Sequence, residues 1–551
     1  MIHPNEPLRC LLIQPRFSDA CYWNYVSVCK LVGARAIQPP LGLLTVAALL
    51  PKQWEARVVD LNVRSLTEDD WNWADVVCTG GMLPQQKGIL EVICAAKARG
   101  KYVVVGGPDP TSQAEIYRDA DALVLGEGEV TIPRWLTEWS DGRPRGRFES
   151  DARPDINTSP IPRFELVDFD DYMHIGVQYS RGCPFNCEFC DIIELYGRVP
   201  RTKSTQRLLA ELQRLYDLGH RGWVDLVDDN FIGNKRNVKG MLPELETWCR
   251  ENGYPFYFTT EASMNIADDS ELMDMMRRVD FRWVFMGIES PDPALLHAMQ
   301  KKQNALRPVA DRVRTIYEHG IGVAAGFILG FDNEPAEMDR SMIACIEEAS
   351  IVFALVGLLI ACPQTQLTRR LRKEGRLVDM HGRLVPPEAD EFFVDAAQLE
   401  NEHIDTSTTG LNFVTTRDRT QIMQEFANVI RTVYNPGNYF ERVLRATQMT
   451  RISRRHHPSG RELRRVLRGG WRGLVSLTAN PRTRRHFWNV FLRTLFTAPH
   501  KLEYAMMAMV FFLHFEQQTA ALIAELDQRR ERVLAAREAA TEVGMHAEFI
   551  R

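Results

Sequence analysis

The stretch YSRGCPFNCEFCDI, residues 179–192, constrains this chain more than any other. It carries Cys183, Cys187 and Cys190 in a CxxxCxxC spacing. Three thiolates this close on a short loop suit three irons of a cubane cluster. Their odd number excludes full pairing as disulfides. A structural zinc site takes four ligands, usually as two separated pairs, and no second Cys or Cys/His pair of that kind follows. A 4Fe-4S cluster held by only three thiolates leaves one iron open to a small chelating molecule. Phe189, just before the last Cys, adds a flat apolar face beside it. The competing reading is a loop of unrelated thiols. Spacing, aromatic residue and the strand feeding the loop together argue against it.

At 551 residues the chain is too long for one core, and three domains are expected. A net charge of −5 gives the whole chain no nucleic-acid signature. Eleven Cys, mostly scattered singly, suit a reducing cytoplasm. Cys10, Cys78, Cys94 and Cys345 sit in apolar runs and are expected in the core. The polar start MIHPNEPLRC shows no signal peptide. No apolar run reaches the roughly 18–20 residues that span a bilayer.

Residues 10–140 alternate short apolar runs with helical stretches. Strands are expected at 10–15, 56–61, 74–80, 102–107 and 122–128, and helices near 41–50, 84–99 and 130–139. Unbroken Val/Leu runs between helices predict a parallel sheet covered on both faces. Such sheets bind ligands at the carboxyl ends of their strands. There this sequence places Thr79-Gly80, Gly106-Gly107 and Gly126-Glu127-Gly128. Glycine at that edge lets a large ligand approach the backbone, or simply makes a tight turn. No GxGxxG is present, which argues against a dinucleotide.

Residues 141–172 are Pro-rich and charged and read as a linker. From 175 to 362 the βα alternation resumes. Strands are expected at 175–180, 222–227, 256–261, 282–287, 321–329 and 352–360, with a helix at 204–218. The strand ends are polar or small: Asp228-Asp229-Asn230, Glu261, Glu289, and Gly326 and Gly330 within GFILGFD. Cys362 is either a core thiol or a wall of the site.

From about 385 helices dominate. Residues 451–500 hold twelve Arg and one acid, Glu462, with Trp471, Phe487, Trp488, Phe491 and Phe496 interleaved. Three readings stand: a nucleic-acid patch, which the acidic chain weakens; an interfacial helix on anionic lipid; or a basic surface of a helical domain. YAMMAMVFFLHF, 504–515, is a buried helix or a pocket wall for an apolar substrate. The stretch 518–545 reads as a charged amphipathic packing or oligomerisation helix.

The cysteine motif resembles the radical SAM superfamily. That resemblance implies S-adenosylmethionine (SAM) chelated to the open iron by its amino and carboxylate groups, and cleaved reductively to a 5′-deoxyadenosyl radical. It further implies that Asp228 and Asp229 meet the SAM amino group, with Phe189, Glu261, Glu289, Gly326 and Gly330 completing the SAM contacts. QPPLGLLTVAALL (38–50), GGPDPT (106–111) and GEGE (126–129) resemble the cobalamin-binding domain that precedes many radical SAM domains. The implied cobalamin contacts are Thr79, Gly80, Gly106, Gly107, Gly126, Glu127 and Gly128. The DxHxxG of classical cobalamin domains is absent, and His3 is the only His before His174, so no His of this domain is expected as the lower cobalt ligand. CDIIELYGRVPRTK (190–203), DDNFIGN (228–234) and TEAS (260–263) resemble the subgroup that includes the hopanoid C-2 methylases.

The resulting expectation is an α/β chain in four parts. These are a Rossmann-like cobalamin domain (1–140), a linker (141–172), a (β/α)6 partial TIM barrel with the cluster (173–384) and a helical C-terminal domain (385–551). The implied function is cobalamin-dependent C-methyl transfer to an unactivated carbon of a small-molecule substrate, a hydrophobic polycyclic lipid such as a hopanoid being favoured. A cyclisation or ring rearrangement with the same cofactors is the alternative, and a non-catalytic redox sensor a more distant one. The implied partners are an external electron donor of flavodoxin or ferredoxin type and no nucleic acid. A cytoplasmic location is expected, with peripheral contact at the inner membrane face through 451–515.

Overall fold

The computed structural model of the chain describes residues 7–17, 21, 24–378, 384–385 and 409–542. His3, residues 386–408 of the expected C-terminal domain and the end of the 518–545 stretch lie outside them.

The first layer is a six-stranded, all-parallel sheet. Its strands are β1 (Arg9–Gln14), β2 (Glu55–Asp60), β3 (Val76–Gly80), β4 (Tyr102–Gly106), β5 (Ala122–Leu125) and β6 (Gly146–Glu149). Their order is β2-β1-β3-β4-β5-β6. The chain reverses direction across the sheet between β1 and β3, the topological switch point where open α/β sheets open a crevice. Strands β3, β4 and β5 are buried almost throughout, as a doubly covered sheet requires. β6 was not legible: it lies in the expected linker and buries only Phe148 of GRFE.

The second layer is also parallel. It contains β7 (Ile175–Val177), β10 (Gly222–Leu226), β11 (Phe256–Glu261), β12 (Phe281–Glu289), β13 (Gly322–Leu329) and β14 (Phe353–Leu358). The order β14-β13-β12-β11-β10-β7 is sequential, so the sheet curls as an open partial barrel. A small antiparallel pair, β8 (Ser180–Arg181) and β9 (Arg201–Thr202), brackets the cysteine loop. The helix Thr205–Asp217 has Ser204 as its N-cap and buries Leu208, Leu212 and Leu215 against the sheet.

Large aromatics fill the floor of the barrel, at the amino ends of its strands. Trp283 stacks on Tyr504 with centroids 5.0 Å apart and meets Phe353 at 4.9 Å. Phe353 in turn packs on Phe511 and Phe515. The partners Tyr504, Phe511 and Phe515 belong to one 41-residue helix, Leu502–Glu542. The stretches 504–515 and 518–545 are therefore continuous through the described residues, and the first is a buried helix. Four further helices, Arg419–Val433, Pro436–Met449, Gly460–Ala479 and Pro481–Thr497, complete this region. An unexpected helix near the amino terminus, Val26–Val32, packs on it. No described helix is long and apolar enough to cross a membrane.

Of the expected core thiols, Cys10 and Cys78 are buried, with sulfurs 3.4 Å apart, and Cys345 is half-buried. Cys94 is exposed, because it falls on the outer face of the helix Gln86–Ala98.

Candidate functional site

The cysteine loop leaves β7 at the carboxyl end of the barrel. Two acids at the end of β10 shape it. Asp228 is 1% exposed. Its oxygens accept the Tyr179 N–H and the Ser180 hydroxyl, both at 2.7 Å. Asp229 accepts the Gly182 N–H at 2.8 Å. The residues immediately before Cys183 are thus fixed by carboxylates from the neighbouring strand. Burial pushes Asp228 up to about 7 and Asp229 up to about 6. Asn230 continues the row: its amide lies 3.7 Å from Cys183 Sγ and donates to Ser263 at 3.1 Å.

Cys187 is buried, and Cys183 and Cys190 are half-buried. Burial raises the pKa of all three thiols, and each lies within electrostatic reach of another. Among the described residues no three His, Cys, Asp or Glu side chains converge as they would on a single ion. Three spread thiols on one loop instead suit a cubane, whose irons sit at separate corners. Lys301, which the sequence reading missed, pairs with Glu289 and pulls Cys187 and Cys183 back down. Its ammonium also lies 5.7 Å from the centre of the Phe189 ring, and Phe189 packs edge-on against Phe331 at the same separation, 5.7 Å. No local motif marks Lys301, which follows Gln300 in a short loop.

Glu289 sits at a register shift between β12 and β13, with φ +68°. The bulge aims its carboxylate over Gly287, where Lys301 neutralises it. Glu261 is different. It is half-buried at the end of β11, and its side chain has no hydrogen bond or ion pair among the described residues. Burial first, then the charges of Asp225, Asp229 and Asp228, push it up to about 8. Gly326 lines the barrel interior, where a side chain would begin 3.2 Å from Phe285. Gly330 is less open: it holds φ +103°, a Cβ there would strike Leu411, and its N–H donates to Glu334.

The N-terminal sheet presents its carboxyl edge to this loop. The Gln364 amide donates to Ser112 O at 2.9 Å across the gap. Arg181, two residues before Cys183, reaches Glu127 at 2.7 Å and Glu129 at 2.8 Å. Arg201 takes the other oxygen of Glu127 at 2.6 Å. Glu127, expected to touch cobalamin, is instead the centre of a buried clamp between the two sheets. Thr79 is also occupied: its hydroxyl donates to Ile13 O at 2.9 Å. The edge glycines are required by the fold itself. A Cβ on Gly80 would lie 2.0 Å from Gly106 O, and one on Gly106 would lie 2.7 Å from Val124 O. Gly107 and Gly126 hold φ +100° and +90°, and a Cβ on Gly128 would press on Ile132 at 3.2 Å. The polar atoms left over at this edge are the side-chain carbonyls of Gln86 and Gln113, both buried and without a hydrogen-bond partner. Both residues donate to Asp109 of the GGPDPT stretch.

Residues 177–344 match the radical SAM superfamily, and residues 365–528 match a domain of unknown function, DUF4070. An uncharacterized methyltransferase of Synechocystis is 44% identical over 79% of this chain and 78% of that protein. The hopanoid C-2 methylase of Rhodopseudomonas palustris is 38% identical over 67% of this chain and 71% of that protein. The chain belongs to the radical SAM family of methyltransferases. Among solved structures, the cobalamin-dependent radical enzyme OxsB, with aqua-cobalamin and SAM bound, superposes with a TM-score of 0.55 at 13% identity. That superposition covers 96% of this chain and 81% of OxsB. The radical SAM match implies a 4Fe-4S cluster and SAM, and the donor set fits both directly. Three buried thiols suit the cluster. An unpartnered carboxylate among other acids suits the SAM amino group. For cobalamin the fit lies in the glycine edge at the carboxyl ends of β3, β4 and β5 and in the buried carbonyls of Gln86 and Gln113, which have no hydrogen-bond partner among the described residues.

Proposed function

We propose that this chain methylates an unactivated carbon of a hydrophobic polycyclic lipid of the hopanoid class. The observation that carries this reading is the facing of two carboxyl edges. The cysteine loop and Glu261 stand on one side, and the carboxyl edge of the first sheet, with Gln86 and Gln113, stands on the other. When bound, the cluster, SAM and cobalamin supply the electron, the hydrogen-abstracting radical and the methyl carrier.

The protein's own residues divide the remaining work. Cys183, Cys187 and Cys190 hold three corners of the cluster and leave the fourth iron free. Glu261, together with Asp229, accepts the N–H of the SAM amino group, which favours its ionised form. Asp228 orients the loop by accepting two hydrogen bonds, from the Tyr179 N–H and the Ser180 hydroxyl. Lys301 neutralises Glu289 beside the thiols. Phe189, Phe331 and the aromatic floor exclude water from the reaction volume. Arg181 fixes the distance between the edges, which decides whether a substrate carbon is positioned between them. An external flavodoxin or ferredoxin donates the electron. The chain contacts the inner membrane face peripherally through 451–515, where a polycyclic lipid is found.

The test uses protein purified without oxygen and reconstituted with iron, sulfide and hydroxocobalamin. It is given methyl-labelled SAM, a reductant and a detergent-dispersed hopanoid. Label in the lipid, absent with a Cys183→Ala, Cys187→Ala, Cys190→Ala variant, is the expected result. Formation of 5′-deoxyadenosine with an altered but unlabelled lipid would overturn methyl transfer.

A further inference from the structure

The helix Gly460–Ala479 is inside out. Its buried residues are Gly469, Gly473 and Leu477. Both glycines are pressed against neighbours: a Cβ on Gly469 would lie 2.8 Å from Val32, and one on Gly473 would strike Val510. Apart from Leu474 and Leu477, the large apolar residues point the other way. Leu463, Val466, Leu467, Trp471 and Val475 are all exposed, Trp471 at 67%. Their spacing of three and four residues makes one stripe along the helix. The next helix, Pro481–Thr497, adds exposed Leu492, Leu495 and Phe496, the last at 81%. Scattered exposed apolar residues are ordinary, but a contiguous stripe marks a surface that something covers.

Charge beside the stripe identifies the cover. Arg464, Arg468, Arg485 and Arg493 have no ion pair among the described residues. Arginine flanking Trp, Phe and Leu is the composition of a helix that lies in an anionic interface.

Behind the stripe is a cavity of about 1040 Å³. Leu467 and Trp471 stand at its mouth, Leu474, Met507 and Phe511 form its depth, and Trp223 and Tyr257 of the barrel floor close it. Its wall carboxylates are already engaged. Glu165 pairs with Arg163 and Arg214, Asp170 with Arg461, Glu462 with His456 and Glu503 with Arg282. Asp168 accepts the Asp170 N–H at 3.0 Å. What remains available is apolar surface. The cavity lies under the amino ends of the strands, with the aromatic floor between it and the cysteine loop, so it is separate from the reaction volume.

We infer that the helix Gly460–Ala479 seats on an anionic bilayer and that the cavity behind it takes the apolar tail of one bilayer lipid. Its anionic head is held among the flanking arginines. The inference rests on the lipid-substrate reading for its purpose: it anchors the enzyme where an apolar substrate resides.

The test uses the reconstituted holoenzyme and two vesicle types: phosphatidylcholine alone, and phosphatidylcholine with phosphatidylglycerol. The phosphatidylglycerol carries a diazirine in its tail. The protein is expected to sediment with the anionic vesicles, at least tenfold more than with neutral ones, and to release as salt is raised. Illumination is expected to label peptides containing Leu474 and Met507. A Leu467→Glu, Trp471→Glu variant is expected to lose sedimentation at least tenfold while its cluster and cobalamin absorption is unchanged. A Leu474→Trp variant, which fills the cavity, is expected to sediment but escape labelling at Met507. Absence of sedimentation by the unaltered protein, equal sedimentation of the double variant, or labelling confined to the outer stripe would each overturn the inference. Methyl transfer to detergent-dispersed lipid needs no vesicle, so the enzymatic reading succeeds or fails independently.

Discussion

The two parallel sheets end in edges of similar composition and opposite use. At the first edge the side chains are spent inside the protein. Thr79 bonds Ile13, Glu127 is shared by Arg181 and Arg201, and the glycines let one backbone pass another. At the barrel edge three thiols and Glu261 remain available. An edge that binds through shape and backbone can spend its side chains on holding itself together. An edge that binds iron and an amino group must keep ligands in reserve, at a cost in desolvation.

The sharpest way to break this contrast is the triple cysteine variant. It is expected to lose the cluster's absorption and all methyl transfer while retaining one cobalamin per chain. Loss of cobalamin as well would mean that the two edges are not separately assembled. Next comes Arg181→Met. It leaves Glu129 without its guanidinium and Glu127 with Arg201 alone, and breaking a buried pair in this way costs about 3–5 kcal/mol. Chemical denaturation is expected to show that loss, with methyl transfer falling further than reductive SAM cleavage because only the former spans both edges.

Glu261→Gln is a smaller change with a pH signature. The folded carboxyl holds its proton up to about 8. The unfolded one releases it near its ordinary value of about 4.3. The folded state therefore binds more protons across that window, so its stability without SAM falls as pH rises through it. SAM affinity runs the other way: the amino group donates its N–H best to the ionised carboxylate, so binding is expected to strengthen toward pH 8 and then level. The glutamine variant is expected to bind SAM about tenfold more weakly at high pH, roughly one lost charge-assisted contact, and with no slope. Calorimetry at several pH values decides it. The smallest effect is expected from Thr79→Val. It removes one buried hydrogen bond, about 1 kcal/mol, and leaves cobalamin stoichiometry unchanged. A loss of cobalamin there would return Thr79 to the binding surface.

Much of the fold was readable because its signals are local. Val and Leu runs at 76–78 and 103–105 mark covered strands whatever surrounds them. The cysteine spacing is likewise complete within eight residues, 183–190. What was not readable depends on partners far away in sequence. Glu127 stands 54 residues from Arg181, and nothing in GEGE announces the pairing. Lys301 reaches Glu289 from a polar loop without a motif. β6 offers one buried side chain, too few to distinguish a strand from a linker. Position at a strand end located the site, and long-range bonding decided which residues were free to act in it.

The aromatic floor has a kinetic consequence. With Trp283, Tyr504, Phe353 and Phe511 packed across the amino ends of the strands, whatever enters the open partial barrel leaves away from that floor, on the side where the cysteine loop stands. A substrate loaded last on that side would trap what lies beneath it until it departs. Turnover then becomes a matter of queueing, in which the order of arrival is dictated by size.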